Sequence, residues 1–277
     1  MASTRQGVET FLNNSPATAL IEVAEAKGST PREKGAWMLV SPTETFGTIG
    51  GGQLEFMAIA RAREAIGDFS PSKAREHLLD IPLGPEIGQC CGGRVELGIR
   101  HVDAALRDEL MAAVTVEDAK HPHVYLFGGG HVGHALAAAL SLLPLKVAVV
   151  ETRADALEGM PEAVEARLTP VPEEAVRTAP PGSAFVVLTH DHALDFLIVA
   201  EALKRPDAAY VGMIGSKTKK ATFKSWFLKT AGGMEGEFAR LISPIGGEAV
   251  KDKRPAVIAA LAAAEIMTAL ARNGPAY

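Results

Sequence analysis

The residues able to do chemistry fall into three groups. Cys90 and Cys91 are the chain's only thiols and sit side by side in Gly88-Gln89-Cys90-Cys91-Gly92-Gly93-Arg94. Neighbouring cysteines rarely bridge each other, because ordinary disulfide geometry needs a wider Cα separation. The thiolate is the reactive, metal-binding form, which Arg94 is placed to favour, and sulfur ligands suit soft or sulfur-bearing metal centres. A buried cysteine can also be a plain small hydrophobe. A segment of three glycines with Gln89 and Arg94 does not read as core, so Gln89, Cys90, Cys91 and Arg94 are candidate ligand contacts, the thiols also to a metal. The second group is Gly128-x-Gly130-x-x-Gly133, which follows the apolar run Val124–Phe127. In a dinucleotide fingerprint the first glycine makes the tight turn, the second admits a pyrophosphate and the third lets the helix pack closely. Glu151 ends the next apolar run, about 20 residues on, where such a fold places the acid that bonds a ribose. Helix-start amides at such a turn offer an anion site; a tight strand–helix joint that binds nothing is the alternative. Arg153, beyond the acid, can meet a phosphate or lie on the surface. The third group is His131, His134, His190 and His192, the last two around Asp191 after a strand, able to hydrogen-bond a phosphate or ligate a metal. Their spacing matches no zinc pattern, and polar loop histidines without a ligand are the plain reading.

Two kinds of scaffold must position these residues. Residues 18–25, 36–41 and 45–49 read as short strands separated by turn residues. Gly50-Gly51-Gly52 then opens a helix over Gln53–Ile66, with Leu54, Met57, Ala58 and Ala65 as its buried face. Arg94–His101 reads as a strand and Asp103–Val114 as a helix capped by Asp103. The polar stretch Thr115–His121 is the expected boundary, dividing the chain into 1–118 and 119–277. Beyond it, strands at Val124–Phe127, Lys146–Val150, Ala184–Leu188 and Ala209–Ile214 alternate with helices at Val132–Leu143, Leu194–Lys204, Lys217–Thr230 and Ala256–Ala271. Such alternation predicts a doubly wound parallel sheet of Rossmann type, preceded here by a smaller α/β domain.

Composition narrows the function classes. At 277 residues two domains are the better prior. A net charge of −5 disfavours a nucleic-acid surface. Apolar runs such as Ala135–Leu145 and Ala256–Ala264 stop short of the roughly 18 residues a membrane span needs. The first residues lack a hydrophobic signal core, and two cysteines build no disulfide framework. A cytoplasmic, reduced protein is expected. Both glycine turns and the paired thiols point to a protein that holds a phosphorylated, thiol-reactive cofactor.

The motifs converge on one family. Gly28-Ser29-Thr30-Pro31-Arg32-Glu33-Lys34-Gly35-Ala36-Trp37-Met38, Gly47-Thr48-Ile49-Gly50-Gly51-Gly52-Gln53-Leu54-Glu55, Gly88–Arg94, the glycine turn, Thr189–His192, Tyr210–Lys217 and Ser243-Pro244-Ile245-Gly246 occur in order along nearly the whole chain. The chain resembles the XdhC/CoxI proteins, accessory factors of xanthine dehydrogenase and related molybdenum hydroxylases. The resemblance implies a non-catalytic chaperone that binds molybdenum cofactor (molybdopterin, in sulfurated form), works with a cysteine desulfurase and delivers the cofactor to the apo-hydroxylase. It implies cofactor contacts at Gly51, Gly52, Gly128, Gly130, His131, Gly133, Glu151, His190 and His192 besides the cysteine loop. The family pattern continues Leu-Asp-Ile-Gly-Ala after Ser-Pro-Ile-Gly; Gly247–Pro255 stands there in this chain. An NAD(P)-dependent oxidoreductase and a non-catalytic nucleotide-binding Rossmann protein are the alternatives. The first lacks an evident acid–base pair for hydride transfer and leaves the glycines before residue 119 unexplained. The residues do not decide whether the protein forms a homodimer.

Overall fold

A computed structural model of the protein describes residues 5–67, 77–84 and 92–273. Two compact units divide it, Met1–Ala119 and Lys120–Tyr277.

The first unit is built on an antiparallel sheet of β1 (Ala19–Lys27), β2 (Trp37–Val40), β3 (Thr45–Gly47), β4 (His77–Pro82) and β5 (Arg94–His101), in the order β3-β2-β1-β5-β4. Side chains alternate across a strand, so Ile21, Met38, Val40, Leu97 and Ile99 face one way and Leu20 and Leu39 the other. The first set buries Leu54, Ala58 and Ala62 of α2 (Gly52–Gly67). The second packs with Val8, Phe11 and Leu12 of α1 (Arg5–Asn14) and Leu106, Leu110 and Val114 of α3 (Ala104–Lys120). Two expectations need correction. Ala62, not Met57, completes the buried stripe of α2, because positions 54, 58 and 62 repeat every four residues while Met57 is exposed. The helix begun at Asp103 also runs through the polar stretch to Lys120; polarity there marks a solvated helical face, not a linker. Asp103 does cap it, its Oδ1 accepting the Leu106 amide at 2.9 Å.

The second unit is a parallel sheet of β6 (His123–Phe127), β7 (Lys146–Glu151), β8 (Glu165–Leu168), β9 (Ala184–Val187), β10 (Tyr210–Met213) and β11 (Leu241–Ile242). The order is β11-β10-β9-β6-β7-β8 and every pairing is parallel. Counted from β6, that is the 3-2-1-4-5-6 order of the Rossmann fold. Phe127, Val150, Phe185, Val187 and Met213 face α5 (Glu173–Thr178), α6 (His192–Lys204) and α7 (Lys217–Lys229). Val124, Leu126, Val149, Val186 and Tyr210 face α4 (His131–Leu140) and α9 (Pro255–Asn273). A short α8 (Glu235–Phe238) precedes β11. The 19-residue α9 is, by length and composition alone, long and apolar enough to cross a membrane, contrary to the expectation from its shorter apolar runs. In the fold Ala259, Ala262, Ala263, Ile266 and Leu270 are its buried stripe against the sheet and α4. Its one mid-helix charge, Glu265, accepts hydrogen bonds from the Tyr210 hydroxyl at 3.0 Å and the Gly246 amide at 2.8 Å.

Candidate functional site

In an open parallel sheet the ligand crevice opens at the carboxyl ends of two neighbouring strands whose crossovers leave in opposite directions. Here those strands are β6 and β9, so the turn 128–133 and the loop 188–191 line that edge. The two are in close contact. A Cβ on Gly128, whose φ is 119°, would lie 2.5 Å from the Leu188 carbonyl oxygen and 3.0 Å from the Thr189 Cα. A Cβ on Gly133 would lie 2.1 Å from the Gly128 carbonyl oxygen, so this glycine seats α4 on the turn. Gly130 differs: it is exposed, and a Cβ there would meet nothing within 4 Å. It is the N-cap of α4 and no side chain caps that helix, whereas Asp191 caps α6 and Ser216 caps α7. His131 is the exposed first residue of α4. His190 and His192 are exposed at the start of α6, and His134 Nε2 bonds the Ala156 carbonyl at 3.1 Å. Among the described residues no group of three His, Cys, Asp or Glu side chains could hold a metal ion.

Glu151 stands at the end of β7, 4 % exposed. Its Oε2 accepts the Gly129 amide at 2.9 Å, and its Oε1 accepts the Thr152 amide at 2.8 Å, the Thr152 hydroxyl at 3.1 Å and the Arg153 amide at 3.2 Å. The Arg153 guanidinium approaches Oε2 at 3.5 Å. Burial pushes the carboxyl up, but the hydrogen bonds from Gly129, Thr152 and Arg153 outweigh it and hold the group below its ordinary value. The expected ribose acid is thus engaged with its own glycine turn.

Sequence reasoning passed over the most enclosed polar group in this unit. Asp195 is fully buried and ion-paired to Lys219, whose side chain is 8 % exposed. An Asp in the first turn of one helix and one Lys of a lysine-rich stretch give no sign in sequence that they meet. The Ser243–Gly246 motif is anchored rather than open, through the Gly246 bond to Glu265, and burial beside Glu265 raises the Tyr210 hydroxyl far above its ordinary range.

In the first unit the structure gathers motifs that lie apart in sequence. A Cβ on Gly93 would lie 2.3 Å from the Ser29 carbonyl oxygen, and one on Gly50 would lie 2.6 Å from the Pro31 ring. The β1–β2 turn therefore touches both the turn that opens α2 and the glycines that follow the thiols. Glu55 closes the α2 turn: its Oε2 accepts the Thr48 hydroxyl at 2.6 Å, the Ile49 amide at 3.1 Å and the Gly51 amide at 3.0 Å. The Gly51 amide is therefore already used; Gly52 is the exposed first residue of α2. Arg94 is exposed and forks onto Asp80, Nε to Oδ1 at 2.6 Å and a second bond to Oδ2, so its charge has a carboxylate partner on the neighbouring strand. That bond holds the Asp80 carboxyl below its ordinary value. Gln89, Cys90 and Cys91 lie outside the described residues.

Comparison with known proteins fits this arrangement. Residues 124–266 match the XdhC Rossmann domain and residues 12–76 match the XdhC and CoxI family. The chain belongs to the XdhC family. It is 26 % identical over 258 residues to the uncharacterized protein YqeB of Escherichia coli (strain K12), across 90 % of this chain and 43 % of that one. The chain thus spans under half the length of this curated relative. Its fold is similar to that of a Bacillus halodurans protein described as a xanthine dehydrogenase, with a TM-score of 0.76, 16 % identity and coverage of 97 % of this chain and 96 % of that one.

Proposed function

We propose that this protein is a maturation factor for a molybdenum hydroxylase of the xanthine dehydrogenase kind: it binds molybdenum cofactor, keeps its sulfido group from water and hands it to the apoenzyme. The observation that carries the reading is the meeting of the XdhC-family motifs at two loci, one in each unit. In the second unit the open side of Gly130 and the uncapped start of α4 suit the phosphate of a molybdopterin. In the first unit Gly93, which seats tightly on Ser29, follows Cys90 and Cys91 closely in sequence, thiols suited to a sulfur-bearing metal centre. The cofactor, when bound, supplies the oxo-transfer centre of the client; this chain's residues bind it and take no part in turnover. A cysteine desulfurase as sulfur donor and a cytoplasmic setting belong to the same proposal.

The Rossmann strand order also favours a dinucleotide reading, in which the chain is an NAD(P)-dependent oxidoreductase. Against it stands Glu151, whose two oxygens already take donors from Gly129, Thr152 and Arg153. Native mass spectrometry with molybdenum analysis, on protein co-expressed with cofactor synthesis, separates the readings. Bound molybdopterin, lost in the Cys90→Ala/Cys91→Ala double variant, is the expected result. Bound nicotinamide dinucleotide without molybdopterin refutes the chaperone reading.

A further inference from the structure

The buried Asp195–Lys219 pair has no role in the function just proposed, and its placement gives it one. Asp195 lies one turn inside α6, and Lys219 lies in the first turn of α7. Asp195 Oδ2 takes the Lys219 ammonium. Its Oδ1 accepts the Thr189 amide at 3.0 Å and the Thr189 hydroxyl at 2.7 Å. That hydroxyl oxygen in turn accepts the Asp191 amide at 3.1 Å. Thr189 is the residue whose Cα stands against Gly128, and the Lys219 stem lies under Gly215, where a Cβ would be 2.6 Å from its Cδ. One carboxylate therefore ties together the loops that follow β9 and β10, and through Thr189 it supports the glycine turn that follows β6.

Buried ion pairs are poor devices for stability, because desolvation of both charges offsets their attraction and apolar pairs of similar volume often replace them without loss. What an apolar pair cannot do here is accept the Thr189 amide and hydroxyl. We infer that Asp195 and Lys219 are positioning residues for the ligand crevice: Lys219 pairs with Asp195 Oδ2 in the interior and leaves Oδ1 facing Thr189, and Asp195 holds Thr189, hence the His190-Asp191-His192 loop and the floor of the Gly128–Gly133 turn, in the binding geometry. This rests on the reading of that crevice as the phosphate-binding part of the site.

The test uses the full chain with inorganic pyrophosphate as probe, followed by calorimetry, and hydrogen exchange at Thr189 as a readout independent of ligand. The double variant Asp195→Leu/Lys219→Met should stay folded, melting several degrees below the wild type because the Thr189 amide loses its acceptor. It should nevertheless bind pyrophosphate at least about tenfold more weakly, and its Thr189 amide should exchange far faster. Thr189→Val keeps the ion pair and removes the hydroxyl's bonds to Asp195 and from the Asp191 amide, so it covers the case in which the double variant does not fold; binding should weaken about fivefold. A folded double variant with wild-type affinity and wild-type Thr189 exchange overturns the positioning role, as does wild-type affinity in Thr189→Val. Failure of the wild type itself to bind pyrophosphate overturns the crevice reading, and with it any positioning for a ligand.

Discussion

Replacing Glu151 by Gln tests whether the second unit's acid holds its own turn together. The volume is kept, but one carboxylate oxygen becomes an amide NH2, itself a donor. The side chain faces the Gly129 amide on one oxygen and the Thr152 and Arg153 amides on the other. Whichever way the new amide turns, at least one buried or part-buried backbone N–H loses its acceptor, a cost of about 1–3 kcal/mol. Loss of charge weakens the remaining bonds by about 1 kcal/mol more. The sum, about 2–4 kcal/mol, corresponds to a fall of about 5–12 °C in the melting temperature of a domain of this size. Trp226 lies in this unit and Trp37 in the other, so Trp226 fluorescence in a Trp37→Phe background follows the relevant transition. Acid sharpens the test. Because the folded carboxyl lies below its ordinary value of 4.5, its contribution is complete above that pH and is lost as the pH falls through the lower folded value. The gap between wild type and Glu151→Gln should therefore be constant from neutral pH down to about 5 and close below about 4.5. No gap at neutral pH, or a gap that persists unchanged in acid, refutes the reasoning.

The two glycines either side of His131 should respond in opposite ways. Gly133→Ala drives a methyl into the Gly128 carbonyl and should destabilise the second unit by about 3 kcal/mol or more. Gly130→Asp should leave melting within about 0.5 kcal/mol but weaken pyrophosphate binding tenfold or more, measured by calorimetry. In the first unit Asp103→Ala removes the cap of α3 and should cost about 1 kcal/mol, seen as a lower midpoint in the Trp37 fluorescence melt of a Trp226→Phe background.

Much of the scaffold was readable because buried faces leave periodic marks. The strand at Arg94–His101 and the alternation after Lys120 were expected from such marks, and the structure has β5 and the Rossmann order there. The smaller domain was expected as α/β; its sheet is antiparallel, a distinction that short strands with brief turns between them carry only weakly. The edge strand β8 left no mark, since Glu165-Ala166-Arg167-Leu168 buries none of its side chains fully. The α1 stripe at Val8, Phe11 and Leu12 did carry helical spacing and went unread. At the site, glycine spacing located the turn, because steric demand is written into residue type. It could not show that Glu55 and Glu151 turn back onto their own glycine amides, or that Asp195 and Lys219, far apart in sequence, share one buried ion pair. Those are facts of tertiary geometry.

The facing stripes of α4 and α9 set how accurately the glycine turn is aimed. The α9 side is Ala259, Ala262 and Ala263 with Ile266, and the α4 side is Leu136, Ala137 and Leu140. Alanine has no rotamers to lose or to rearrange, so the alanines of α9 give the α4 side a surface that does not adjust. A long side chain at such a contact could absorb a small shift by changing χ angles; a methyl group cannot. The axis of α4 is therefore registered against α9 as one rigid rod against another, and the amides at its start inherit that alignment. Enlarging Ala262, remote in sequence from the glycines, would act as a lever on the N-terminal end of α4, so tolerance to substitution along α9 becomes a measure of how finely the turn must be pointed.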